Sequence, residues 1–177
     1  MNKNILFFTK TFWNEPPRIR HQMARLLNNN GFNIYFFEKN NYSSLKPKTR
    51  GEENITFYSH AEFIHHQLRY FPIIQSINSW IVKRYIKSIV KNLEFEYILN
   101  FNYDYTFLRD LFPDKKITTL INDDFENMAK FGMKKQVFKQ MGKTCSISDH
   151  VLTVSYPLYD KLKVYNNKID LLFPWAQ

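Results

Sequence analysis

The chain has 177 residues, 44% hydrophobic and 18% aromatic, with 25 Lys and Arg against 16 Asp and Glu for a formal charge of +9. That length holds one domain with a full core and leaves little room for a second, and the composition is not that of a disordered chain. A single cysteine, Cys145, excludes an internal disulfide framework and a Cys-rich zinc site, so a reducing, cytoplasmic compartment is expected.

Gly31, Gly51, Gly132 and Gly142 do not fall into a G-x-G-x-x-G or P-loop spacing, so a nucleotide cradled on a Gly-rich turn is not encoded. No apolar run approaches the roughly 20 residues needed to span a bilayer. The first residues read as a strand, not a signal peptide, because only five apolar residues follow the start and no small-residue cleavage site is present. Lysine exceeds arginine and Asn, Ile, Phe and Tyr are abundant, a pattern of drift toward A+T-rich codons that raises charge without selection for nucleic acid. A positive face still attracts anionic partners.

Residues 4–9 (NILFFT) form a nearly continuous apolar run, as in a strand buried on both faces of a parallel sheet. Residues 16–30 read as a helix, with Ile19, Met23, Leu26 and Leu27 as its core stripe, residues 14–17 as its first turn and Gly31 as its stop. Residues 32–38 (FNIYFFE) are a second strand, completing a βαβ unit. Residues 39–54 are a polar connection and 55–59 a third strand. A helix over 62–70 is interrupted at Pro72, and a longer one follows over 73–93. Strands over 97–102, 116–122, 150–155 and 169–173 alternate with helices over 105–112, 125–143 and 157–165. The expected fold is α/β: an open, mainly parallel Rossmann-like sheet with helices on both faces. Ligands of such sheets bind beyond the carboxyl ends of the strands, which directs attention to residues 10–20, 101–105 and 122–126 and to Ser155.

In the first of these segments, Arg18, His21 and Arg25 share one helical face roughly opposite the apolar stripe, near the positive end of the helix dipole. Such a face suits an anionic or sugar-bearing ligand, and Trp13 could stack on a sugar; the alternative, which spacing alone favours, is a solvated face with Trp13 covering the sheet edge. Asp123 and Asp124 follow the 116–122 strand, where adjacent carboxylates can orient hydroxyls or act as a base; alternatively Asp124 caps the next helix. Lys83, Lys87 and Lys91 recur along the 73–93 helix, which either lies on an anionic membrane or packs on the sheet with its lysines in water. His60, His65 and His66 do not make a convincing metal set. Cys145 reads as a buried, inert thiol, and Ser155, outside any G-x-S-x-G elbow, as a helix N-cap. No helix-turn-helix, RNP or zinc-finger pattern points to nucleic acid.

The run ILFFTKTFWNEPPRIRHQMARLLNNNGFNIYFFE resembles the start of the N-terminal domain of GT-B glycosyltransferases, in particular the family 4 (group 1) type. ITTLINDDFENM resembles the later strand with its acidic end, and CSISDHVLTVSYPLYDKLK followed by KIDLLFP resembles the close of that domain. The resemblance covers nearly the whole chain, least over residues 39–93, and rests on the order and spacing of the motifs.

What the resemblance implies is transfer of a sugar from a nucleotide-sugar donor to a surface-polysaccharide or lipid-linked acceptor. Residues 1–174 would be the acceptor-side domain and 175–177 the start of a hinge. The C-terminal donor-binding domain has no counterpart here, so this chain alone is expected to be inactive and to bind no cofactor by itself. Asp123 or Asp124 would lie at the reaction centre, and Trp13, Asn14, Arg18, Arg20, His21, Asn102 and Asp104 would contact substrate. No metal is expected. The partners would be a sugar or lipid-linked acceptor, an anionic membrane at its inner face and the second domain, not nucleic acid. The competing expectation is a stand-alone basic α/β module that binds an anionic membrane or polyanion without catalysis.

Overall fold

The computed structural model describes residues 4–39, 49–52, 54–60 and 71–172. The chain opens with β1 (Asn4–Phe8), α1 (Ile19–Asn29) and β2 (Asn33–Lys39). A short β3 (Thr49–Glu52) and β4 (Ile55–His60) follow, and α2 (Pro72–Val90) then leads to β5 (Tyr97–Asn100). The second half runs α3 (Leu108–Leu111), β6 (Lys116–Ile121), α4 (Phe125–Met128), α5 (Lys134–Ser146), β7 (His150–Thr153), α6 (Tyr156–Leu162) and β8 (Ile169–Leu171).

The strands form one open sheet in the order β3-β4-β2-β1-β5-β6-β7-β8. Seven are mutually parallel; β3 alone runs antiparallel, on the edge beside β4. That edge strand occupies the end of the connection read as irregular from sequence. Its residues, Thr-Arg-Gly-Glu, carry no apolar alternation, and only hydrogen bonding to β4 makes them a strand. The expected helix over 62–70 lies outside the described residues.

β1 shows why the sheet is two-sided. Leu6 and Phe8 enter a cluster with Val82 and Ile86 of α2 and Leu108 of α3, whereas Ile5 and Phe7 enter one with Ala24 of α1. Parallel register carries this alternation across the sheet, and Ile121, Val151 and Ile169 pack under α5 and α6. α1 therefore covers one face and α2, α3, α5 and α6 the other. Each large apolar side chain so buried contributes about 1.5–3 kcal/mol.

Two helices depart from their sequence patterns. α1 begins at Ile19, later than the Pro-Pro turn suggested, and its N-cap is Arg18. Its buried residues are Arg20, His21, Ala24 and Asn28, while Leu26 is 46% exposed. Ile19, Met23 and Leu27 of the expected stripe pack half-buried against the same cluster as Ala24, so the face extends from that stripe and its most buried centre is at small Ala24, which lets the helix approach the Phe-rich strands. The region read as one helix over 125–143 is two, α4 and α5, separated by a turn in which Phe131 (φ 57°) and Gly132 (φ 69°) adopt left-handed backbone. Cys145 is fully buried, and burial pushes its thiol up to about 12, so it is inert as expected.

Candidate functional site at the carboxyl ends of the strands

Strand order reverses between β1 and β5: the chain leaves β1 toward β2 over one face and reaches β5 through α2 on the other. Loops after neighbouring strands then diverge, opening a crevice between their carboxyl ends. Residues 9–18 form one wall and residues 101–107 the other.

The β1 wall is pinned. Thr9 Oγ1 donates to the Phe37 carbonyl (3.2 Å), and the Trp13 N–H donates to Glu38 on β2 (2.9 Å). His21 Nδ1 accepts from the Arg18 N–H (3.0 Å), and Nε2 lies 3.0 Å from the Phe12 carbonyl, to which it must donate. The two bonds fix a neutral imidazole protonated at Nε2. Burial lowers its pKa, only partly opposed by the bond to Phe12, while Arg20 and Arg25 lower it further. The Trp13 ring is buried against His21, Phe36 and Phe57, with the Arg25 guanidinium 5.1 Å from its centroid. Trp13 and His21 thus support the wall from behind. His21 does not lie on the solvated face expected for it: it turns inward with Ala24, and only Arg18 and Arg25 remain outside, while Trp13 covers the sheet, the second of its two readings. Asn14 is exposed on the loop, and Arg18 lies 3.6 Å from Glu15.

Arg20 is the residue of this segment that faces the strand ends. It is buried, and its Nη1 donates to Thr11 Oγ1. Burial and neighbouring Arg18 lower its pKa, whereas Asp123 and Glu15 raise it, so the guanidinium lies in the field of the β6 carboxylate. An arginine remains charged under such shifts.

The β5 wall rests on a polar relay. Asn100 is fully buried; its Oδ1 accepts from the Asn102 N–H (3.0 Å) and its Nδ2 donates to the Asn102 carbonyl (2.9 Å) and to Thr119 Oγ1 (3.2 Å). Thr119 and Ser148 hydroxyls are 2.7 Å apart, Ser148 donates to the Thr144 carbonyl and Thr144 to the Tyr103 carbonyl. The relay leaves β5, crosses to β6 and α5, and returns to the β5 loop. It holds Asn102 and Asp104 at the crevice. Asp104 Oδ2 pairs with Lys10 Nζ at 2.7 Å across the gap, with both side chains mostly buried.

Several buried side-chain atoms at these strand ends have no partner among the described residues: Arg20 Nε, Asn102 Nδ2, Asp104 Oδ1, Asn122 Oδ1 and Thr153 Oγ1. A buried polar atom left unpaired costs about 1–3 kcal/mol, a penalty that a ligand or water removes on binding. The set contains donors, acceptors and a hydroxyl together, the mixture that hydroxyl groups of a sugar satisfy because each both donates and accepts.

The two acidic candidates separate. Asp123 accepts from Asn122 Nδ2 at 2.7 Å and faces Arg20 electrostatically. Asp124 caps α4, accepting from the Asn127 N–H (3.2 Å), and pairs with Lys161 (3.3 Å). Partial burial raises its pKa, but the bonds from Asn127 and Lys161 outweigh that and hold it low. Of its two readings, the helix cap is the one this geometry carries. Ser155 occupies the N-cap position of α6 without a side-chain cap bond. Among the described residues no group of three or more His, Cys, Asp or Glu side chains could hold a metal ion.

Lys10 and Thr11 sit at the switch point, and Asn100 with Thr119 organises it from below. The position of Lys10 and Thr11 directly after the first strand was a signal for their placement. Asn100 and Thr119 gave none, since each reads as an ordinary polar residue within an expected strand.

No family model matches the sequence, and no curated protein matches it significantly. Solved structures do. The chain is similar to a trehalose-6-phosphate protein from E. coli bound with UDP-2-fluoro glucose, at 12% identity and TM-score 0.53 over 87% of this chain and 40% of that one. It is similar to an α,α-trehalose-phosphate synthase (UDP-forming) from Burkholderia vietnamiensis at 11% identity and TM-score 0.56, over 92% and 42% respectively. A third, a trehalose-6-phosphate synthase studied with bisubstrate glycomimetics, gives 10% identity and TM-score 0.53 over 88% and 40%. The chain thus spans less than half the length of each. The fold is one Rossmann-like half of a GT-B fold.

Proposed function

We propose that this chain is the acceptor-side half of a GT-B glycosyltransferase, moving a sugar from a nucleotide-sugar donor to a surface-polysaccharide or lipid-linked acceptor. What carries the reading is the set of unpartnered buried polar atoms along the carboxyl ends of the strands of a GT-B half, with the Lys10–Asp104 pair at its switch point. Family 4 remains the type its motifs resemble.

In the transfer, an acceptor hydroxyl oxygen bonds to the anomeric carbon while the bond from that carbon to the donor phosphate oxygen breaks, the phosphate leaving with the electron pair. The hydroxyl proton passes to a carboxylate or to the departing phosphate. Asp104 and Asp123 are the carboxylates placed to orient the hydroxyl, Asn102 and Asn122 grip neighbouring hydroxyls, and Lys10 and Arg20 offset negative charge on phosphate. In this reading a hinge starts at residue 175 and leads to a second Rossmann-like domain that supplies most of the nucleotide contacts.

The test is a transfer assay on the protein containing both domains. Asp104→Asn and Asp123→Asn should each lower kcat/KM at least tenfold, and full activity in both would remove the carboxylates from the reaction. Extending the reading frame past codon 177 should reveal a second βα domain; an immediate stop would favour the stand-alone module.

Peripheral membrane attachment is the accompanying part of the proposal. Ile73 and Ile77 on α2 are 77% and 47% exposed, and exposed Met128 and Phe131 lie on the α4–α5 side, joined to α2 by the Phe71–Phe131 ring contact. No described helix is long and apolar enough to cross a membrane. Vesicles containing anionic lipid should retain the protein at low salt and release it at high salt, and binding indifferent to anionic lipid would remove the attachment.

A further inference from the structure

A second concave surface lies beside the strand-end crevice, between α2 and α5 with the α3 region as its floor. Its volume is about 400 Å³, within the range of small-ligand sites. Gln75, Ser79 and Phe107 line both it and the smaller space against Lys10 and Asp104, so the two are neighbours.

Its chemistry differs from that of the crevice. Lys83, Lys139 and Lys143 line it against a single carboxylate, Asp110, which Lys83 approaches at 3.8 Å. Lys139 and Lys143 have no acidic partner among the described residues and stand exposed on successive turns of α5. Trp80 projects from α2 on the other side, 61% exposed, with the Arg84 guanidinium 5.8 Å from its ring centroid. Between them, Gln140 is only 6% exposed, and its Nε2 donor has no partner. An unpaired donor this deeply buried in a lining residue is an independent sign that the groove awaits an acceptor atom.

We infer that this groove binds an anionic saccharide, with Trp80 against the apolar face of a sugar ring, Lys139 and Lys143 on its phosphate or carboxylate, and Gln140 donating to a ring or hydroxyl oxygen. A bare anion would use the lysines and leave the indole and the amide idle. A neutral sugar would leave two unpaired ammonium groups beside it. Only a ligand combining both features engages all of the lining groups. The site goes beyond the transfer reading and stands without it, since its ligand needs no donor and no reaction.

Ligand-observed NMR titration of the full chain with mannose 6-phosphate, glucuronate, mannose and inorganic phosphate tests this. Saturable binding is expected for mannose 6-phosphate or glucuronate, and the tighter of the two identifies the acidic group. Mannose and inorganic phosphate should each bind at least tenfold more weakly. Lys139→Glu combined with Lys143→Glu should weaken the acidic sugar at least tenfold, and so should Trp80→Ala; these exposed positions leave the melting temperature near wild type. Asp104→Asn should change binding less than threefold. The proposal is overturned if neither acidic sugar binds, if mannose or phosphate binds as tightly, or if the lysine pair is indifferent. A loss confined to Asp104→Asn also overturns it, assigning the ligand to the crevice.

Discussion

Two loops leave adjacent strands at the same end of the sheet and treat their polar groups in opposite ways. After β1, both nitrogens of His21, the Glu38 carboxylate and the Thr9 hydroxyl are bonded to backbone, and the Trp13 ring is buried beneath them. After β5, the backbone is held by Asn100, but the Asn102 amide and one Asp104 oxygen are buried and left open. A fully satisfied network gives a rigid support, while an incompletely satisfied one at a crevice marks where something else must bond. The β1 loop is the scaffold for Lys10 and Arg20, and the β5 loop carries the open polar atoms on which the proposed recognition rests.

The sharpest way to break that contrast is Asp104→Asn, which should lower transfer by about tenfold to hundredfold in the two-domain protein, assayed below its melting temperature because Lys10 loses its buried partner. Equal activity would show that the open oxygen is incidental. Asn100→Leu attacks the support instead. It leaves two backbone groups of Asn102 and the Thr119 hydroxyl short of a partner, so a loss of about 2–3 kcal/mol is expected, measured by urea unfolding.

The scaffold reading of His21 has a pH signature. Its folded pKa lies below the ordinary histidine value, so the unfolded chain binds the proton more readily. The stability this confers is present above about pH 6.5 and falls as the pH drops through 6.5 toward the lowered folded value. The melting temperature of the wild type should therefore decline between pH 7 and 5 more steeply than that of His21→Gln. Parallel profiles would show that the imidazole is not held neutral by the fold.

Asp124→Ala removes the α4 cap and should cost about 1 kcal/mol, with transfer activity kept. A large loss of activity at intact stability would return Asp124 to the reaction centre. The smallest effect belongs to Arg18→Ala, an exposed residue whose pairing with Glu15 is worth about 0–1 kcal/mol.

Much of the architecture was legible because its signals are local. The uninterrupted apolar runs at β1 and β2 mark strands covered on both faces, and the alternation with helices gives the parallel sheet. β3 was illegible because a polar edge strand is defined by its neighbour's hydrogen bonds. The stripe on α1 was read in part: Ile19, Met23 and Leu27 pack against the core, but apolar periodicity takes the largest side chains as the most buried, whereas close packing on the sheet centred the face on Ala24, carried Arg20 and His21 inside and left Leu26 out. The split of 125–143 turned on left-handed backbone at Phe131 as well as Gly132, and a phenylalanine gives no warning of it.

The sequence by itself determined the fold class, the strand ends as the place to look, and Asp104, Asp123 and Arg20 among the residues there. It could not distinguish a residue that supports the site from one that lines it, since Trp13, His21 and Asp124 have the same chemistry in either role. Only the tertiary structure decided that, because support or exposure depends on which buried atoms find partners, and those partners come from strands and helices far apart in the chain. Asn100 reaches Thr119, Lys10 reaches Asp104 and Asp124 reaches Lys161. None of these pairings is written in spacing; each is fixed by which parallel strands lie side by side, and Lys10–Asp104 by the reversal beside β1.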